Sequence, residues 1–275
     1  MIRVTHVGDR ARRLIDGASS ATVVAVLRHS LYLEIAGELV WLGPPGSTLH
    51  GRAIVASDLP FVDGATRIET SFDLRNATHW RPRELPRPIQ PETLAHASRG
   101  LAGTIDRVGR PDGFGALLVG ERPAFPLGHA AEDARGFLDS CARDDVATAM
   151  AIGERLLGLG PGLTPAGDDL VGGAFFARRL SASDLAWADA AAMIRARAPT
   201  RTHPISATLL GDLLDGSGYA PLHDLALALA RSDGPNALQA AARLTRIGHS
   251  SGWDILTGFL GALSAPVRAR SKPGR

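Results

Sequence analysis

Apolar residues along this chain recur in two rhythms. Up to about residue 120 they come in short runs bounded by turn residues, the pattern of strands. Ala21–Leu27 is dense in β-branched residues, and Leu31–Ile35 and Glu38–Leu42 flank Ala36-Gly37 as the arms of a hairpin would. Gly43-Pro44-Pro45-Gly46 then breaks the pattern. Arg52–Ala56, Arg67–Phe72 and Phe114–Val119 are the other predicted strands. Trp80–Pro88, rich in proline and arginine, reads as a surface loop, and Pro91 to about Leu101 as a helix with proline in its first turn.

From about residue 130 the spacing becomes that of helices. Val146, Ala149, Met150, Gly153, Leu156 and Leu157 fall on one helical face, which Asp144 or Asp145 can cap and Gly158 can end. Further helices are predicted at roughly 169–180, 184–197, 205–214, 222–231, 235–247 and 252–263. In the 235–247 segment Ala237, Leu238, Ala241, Leu244 and Ile247 make an apolar stripe, stopped by Gly248. The expected class is α+β, with a β-rich N-terminal half and an α-helical C-terminal half. The expected domains are 1–125, β-rich; 126–265, helical and carrying a glycine–proline loop; and 266–275, a flexible tail.

Composition narrows the function more than the fold. The chain has 275 residues with 45% hydrophobic and 21% charged, ordinary for a globular protein. No apolar run is long enough to span a membrane, and Met1-Ile2-Arg3-Val4 does not open a signal peptide, so a cytoplasmic location without a membrane partner is expected. Cys141 is the single cysteine, which excludes an internal disulfide and a multi-cysteine zinc site. Of the 30 basic residues only Lys272 is a lysine, which argues against Walker-type P-loops and Schiff-base chemistry. With a net charge of +2, scattered arginines and 5% aromatics, no nucleic-acid partner is expected. The seven histidines outside the segments below show no ligand spacing, and no Gly-x-Ser-x-Gly elbow is present.

Three polar segments carry the candidate chemistry. The first, Gly158-Leu-Gly-Pro-Gly-Leu-Thr-Pro-Ala-Gly-Asp-Asp169, alternates residues that permit positive φ with prolines that fix it. Such a loop is stiff, and its N–H groups can converge on an anion at the start of the next helix. Gly160, Gly162, Thr164, Gly167 and Asp168 are therefore candidate substrate-binding residues and Asp169 a candidate catalytic one. Asp168 reads equally as a helix N-cap, and Asp169 as either a dipole partner or a ligand for Mg²⁺. Gly172-Gly173 would admit another backbone or a ligand.

The second segment, Ala198–Ser206, sets Thr200, Arg201, Thr202, His203 and Ser206 at a helix start. Arg201, Thr202 and Ser206 are candidate binding residues and His203 a candidate catalytic one, although Thr202 alone would serve as a cap. The third, Gly248–Asp254, offers Ser250 and Ser251 for binding and His249 for acid–base work. Ser251 and Asp254 also have capping-box spacing. Three such helix starts meeting at one point would attract small anions strongly.

Gly158–Asp169, followed by Gly172-Gly173, resembles the signature of a bacterial domain family of unknown function that includes the third subunit of the three-component oxamate carbamoyltransferase of anaerobic allantoin degradation. Thr202-x-x-x-Ser206 and Gly248-His-Ser-Ser-Gly-x-Asp254 look like features of the same family, in the same order. The resemblance implies a carbamoyltransferase subunit that works with two other subunits and handles oxamate or carbamoyl phosphate, both small anions. The chain lacks the Ser-Thr-Arg-Thr-Arg phosphate loop of classical carbamoyltransferases; Thr200-Arg201-Thr202 matches only its centre. Two other readings stand beside this one. A stand-alone Mg²⁺-dependent phosphoryl-transfer enzyme would use Asp168 and Asp169 as metal ligands, and a non-catalytic scaffold would use the loop for assembly.

Overall fold

The computed structural model describes residues 1–60, 62, 66–85, 89–181 and 185–264; the expected flexible tail, 266–275, lies outside them. The chain forms two compact units, Met1–Glu84 with Ser217–His223, and Leu85–Gly216 with Asp224 onward.

The first unit is a sheet of eight strands with one short helix. Its elements are β1 (Ile2–Gly8), α1 (Asp9–Ile15), β2 (Ser20–Val26), β3 (Leu31–Ile35), β4 (Glu38–Gly43), β5 (Ala53–Ala56), β6 (Arg67–Glu69), β7 (Phe72–Asp73) and β8 (Thr78–Trp80). The strand order is β6-β2-β3-β4-β5-β1-β7, with β8 also paired to β1. The predicted hairpin forms in full register from Leu31 opposite Leu42 to Ile35 opposite Glu38. Ala36 and Gly37 turn it with positive φ at both positions, as the tight hairpin twist demands. Alternate residues Leu31, Leu33 and Ile35, with Val40 and Leu42, bury one face against Ile15, Val4 and Ile54.

One predicted strand, Arg67–Phe72, divides into β6 and β7. The first pairs with β2 and the second with β1, at opposite ends of the sheet. Thr70 and Ser71 make the crossing between them, with Thr70 N donating to Ser19 O. In this unit His50 is buried, its ring edge-on to Tyr219 at 5.2 Å. Arg52 beside it is buried too and pairs with Glu38 at 2.8 Å.

The second unit is helical: α2 (Pro91–Ala102), α3 (Ala131–Ala142), α4 (Val146–Leu156), α5 (Ala166–Ser181), α6 (Leu185–Arg201), α7 (Pro204–Leu214), α8 (Ala220–Ala230, in this unit from Asp224 on), α9 (Gly234–Leu244) and α10 (Ser251–Leu263). α4 is capped by Asp145, whose carboxylate accepts from Thr148 N at 3.0 Å. The predicted strand Phe114–Val119 is instead a 3-10 helix, Gly113–Val119. Asp112 caps it by accepting from Gly113 N, and Gly115 packs directly under the Trp253 ring, so Phe114 and Gly115 at its start are buried without a partner strand.

α5 and α10 form the centre of this unit and touch backbone to backbone. A Cβ on Gly173 would overlap the carbonyl of Ile255, and one on Gly258 would overlap that of Leu170. Gly173 therefore admits a helix. Phe176 and Phe259, tilted at 6.0 Å between ring centres, continue the contact into the core. Gly172 faces α7, where Leu210 and Leu213 fill the space beside it.

A candidate site where three helices begin

The glycine–proline loop runs from the end of α4 to the start of α5 and is held by its own aspartate. Asp168 is buried, and it is not an N-cap: α5 begins two residues earlier, at Ala166, and Pro165 O receives the N–H groups of Asp168 and Asp169. The Asp168 carboxylate turns back instead. One oxygen accepts from Gly158 N at 2.8 Å, and the other accepts from the hydroxyls of Thr202 and of Ser206, the latter at 2.6 Å. One carboxylate thus joins the loop's first residue, the end of α6 and the start of α7. Three donors from the chain share its two oxygens.

Close backbone approach explains the glycines of this loop. A Cβ on Gly167 would strike Leu156 O, and one on Gly158 would strike Arg201 O. Gly158, Gly160 and Gly162 all have positive φ, at 75°, 117° and 95°. Pro161 and Gly162 are exposed, whereas Leu163 and Thr164 are half-buried.

Asp169 points the other way, toward α10. Ser251, in the first turn of α10, hydrogen-bonds to it, and the Ser251 hydroxyl also lies 3.1 Å from that of Thr164. The next carboxyl is Asp254, fully buried, one turn further along α10. Its Oδ1 accepts from Phe114 N at 2.6 Å, and Ser250 hydrogen-bonds to it. The capping-box reading of Ser251 and Asp254 is thereby replaced: Ser250 is the N-cap residue, Ser251 already lies in the helix, and Asp254 serves Phe114. Gly113, with φ of +55°, is required here, because a Cβ would lie 2.8 Å from Ser250 Cβ and would collide with Asp254.

Burial dominates the electrostatics. Removal from water pushes the Asp169 carboxyl well above its ordinary range, and the nearby Asp254 charge adds to this against the Ser251 hydrogen bond. Burial likewise raises Asp254 to about 7, opposed by its bonds to Phe114 and Ser250 and assisted by Asp112. Near neutral pH the pair therefore carries less charge than two ordinary aspartates. Asp169 Oδ2 and Asp254 Oδ2 are both buried without a hydrogen-bond partner among the described residues.

The three helix starts of α5, α7 and α10 do converge, and Asp168 and Asp169 are the junction. Asp169, Thr164, Ser250 and Ser251 gather on the α10 side; Asp168, Thr202 and Ser206 gather on the α7 side, with Gly167 packed on Leu156. The other candidates stand apart. Arg201 ends α6 with its side chain exposed, and exposed His203 caps α7, its Nδ1 accepting from Ile205 N at 3.2 Å. His249 is exposed, with Nε2 3.6 Å from Asp112. Among the described residues, no group of three or more His, Cys, Asp or Glu side chains is placed to hold a metal ion. No described helix is long and apolar enough to cross a membrane.

In the sequence Asp254 has only a capping role, and Asp112 and Gly113 stand outside the three polar segments. The signal was there in Asp112-Gly113, a turn pair ahead of an apolar run, and in an aspartate inside the apolar helix Ser251–Leu263. No curated protein and no solved structure matches the chain. Residues 156–263, from the last residue of α4 to the last of α10, match the family described as AllH, oxamate carbamoyltransferase subunit AllH, the family that the glycine–proline loop resembles.

Proposed function

We propose that the chain is a subunit of an oxamate carbamoyltransferase and that the junction of α5 and α10 contributes to its substrate site. The observation that carries this reading is the extent of the family match. Residues 156–263 contain the loop, both aspartates and all three helix starts. The reading is also supported by chemistry at the loop. Among the described residues the N–H groups of Gly160 and Gly162 make no hydrogen bond, and the hydroxyls of Thr164 and Ser251 lie 3.1 Å apart at two helix N-termini. Donors in that arrangement suit the carboxylate of oxamate or the phosphate of carbamoyl phosphate.

Carbamoyl transfer forms a bond from the amide nitrogen of oxamate to the carbamoyl carbon and breaks the bond from that carbon to the phosphate oxygen. The proton lost from nitrogen needs an acceptor. Asp169, bonded to Ser251 and raised in basicity by burial, supplies one in this reading. Asp168, Thr202, Ser206 and Gly167 then position the loop, His203 caps a helix, and Arg201 and His249 are the exposed groups available to an incoming anion or to a neighbouring subunit. The partners are the other subunits of the enzyme, two in number on this reading.

Purification of the tagged chain from its native host tests the assignment. Co-elution of partner proteins together with oxamate-dependent release of phosphate from carbamoyl phosphate supports it. A chain that elutes alone, with no such activity in the fraction, refutes it.

A further inference from the structure

Native interiors rarely leave buried polar atoms without partners, because each such atom forfeits its hydration. Here two carboxyl oxygens, Asp169 Oδ2 and Asp254 Oδ2, are left so on the first turns of two helices that touch backbone to backbone. The rest of each carboxyl is served: Ser251 bonds to Asp169, and Phe114 N and Ser250 bond to Asp254. These two oxygens are the acceptors that a ligand reaching the pair would meet. A metal ion is a poor match, since no third metal-ligating side chain joins the two among the described residues. An anion is a poor match for two acceptors. The chemical group that fits is one with N–H donors and a carbonyl together, a primary amide. A carboxyl pair holding one proton presents an acceptor for the amide N–H and an O–H for the amide carbonyl.

Resting on the carbamoyltransferase reading, we propose that Asp169 and Asp254 recognise the –CO–NH2 end of the substrate, while the loop N–H groups and the Thr164 and Ser251 hydroxyls receive its anionic end. The two carboxyls thereby select an amide over an isosteric acid or ketone. Entry parts the half-buried Thr164–Ser251 hydroxyl contact, and the anionic end of the substrate takes its place.

Oxamate and pyruvate make the test, since both are monoanions of the same shape and differ only by NH2 in place of CH3. Isothermal titration of the full-length chain, in complex with whatever partners co-purify, gives the affinity of each. The wild type is expected to bind oxamate at least about tenfold more tightly than pyruvate, the value of one or two hydrogen bonds to a charged group. Asp169→Asn and Asp254→Asn should bring that ratio to within about threefold of one by weakening oxamate alone. Equal binding of the two ligands by the wild type overturns the inference and leaves the carbamoyltransferase reading standing. So does a ratio that survives in both variants. Failure of the wild type to bind either ligand overturns the inference and that reading together. The wild-type ratio decides the matter even if a variant fails to fold.

Discussion

Ser206 donates its hydroxyl to Asp168 at 2.6 Å, binding the start of α7 to the start of α5 through a carboxylate that water does not reach. Thr202 and Gly158 N complete the set of donors. Truncation would leave all three unpaired in the interior, at about 1 to 3 kcal/mol each before relaxation. Asp168→Ala should therefore destabilise the helical unit by about 3 kcal/mol or more, read from denaturant midpoints. Asp168→Asn, which keeps an acceptor oxygen for one side, should cost clearly less. Equal stability of Asp168→Ala and wild type would remove Asp168 from the role of junction.

Gly173 and Gly258 predict a contrast with Gly100. At the first two positions a Cβ meets the backbone of the facing helix, so Gly173→Ala or Gly258→Ala must push α5 and α10 apart. Each should lower stability by about 2 kcal/mol or more. Gly100 in α2 faces open space, and Gly100→Ala should raise stability by up to about 1 kcal/mol through helix propensity. Thermal unfolding of the three variants distinguishes close backbone packing from a general intolerance of substitution.

The two units should respond to pH with opposite signs. Asp254 is held protonated up to about pH 7 in the folded helical unit, against 3.8 as its ordinary value. The folded state therefore binds the extra proton between those values. The stability this contributes is complete below about pH 4 and is lost as pH rises to about 7. Asp169, raised for the same reason and facing Asp254 from α5, acts in the same direction, and Asp112 adds to it. In the sheet unit, burial and the Arg52 charge lower His50 from 6.5 to about 3. That stability is present above 6.5 and is lost as pH falls toward 3. Hydrogen exchange with mass spectrometry, corrected for intrinsic rates, reads each unit separately. Asp254→Asn should flatten the alkaline loss in the helical peptides and leave the sheet peptides unchanged.

Most of the secondary structure was legible because its signals are local. Ala36-Gly37 between two apolar runs set a hairpin, and Asp145 and Gly158 mark the ends of α4, whereas α9 stops at Leu244, short of the Gly248 expected to end it. The misreadings share a cause. Phe114–Val119 has strand-like composition, but its Gly115 packs under the Trp253 ring of a helix some 140 positions later, which no local pattern announces. Arg67–Phe72 reads as one strand because its division depends on two different neighbours, β2 and β1.

The site was half legible for the same reason. The loop, its hydroxyls and both aspartates are conspicuous in sequence. The opposite directions of Asp168 and Asp169 are not, since they depend on which helix start lies on each side. Capping-box spacing gave Asp254 a sufficient local explanation, and only the packing of Phe114 N against it shows otherwise.

Release of phosphate from carbamoyl phosphate, driven by oxamate in the assembled enzyme, is the most direct measure of whether this chain is a carbamoyltransferase subunit. The account predicts that activity requires the chain and falls by at least about a hundredfold with Asp169→Asn, on the scale of a lost acid–base group, while the complex stays assembled. Full activity from the partners with this chain omitted, or with Asp169→Asn in place, would contradict it.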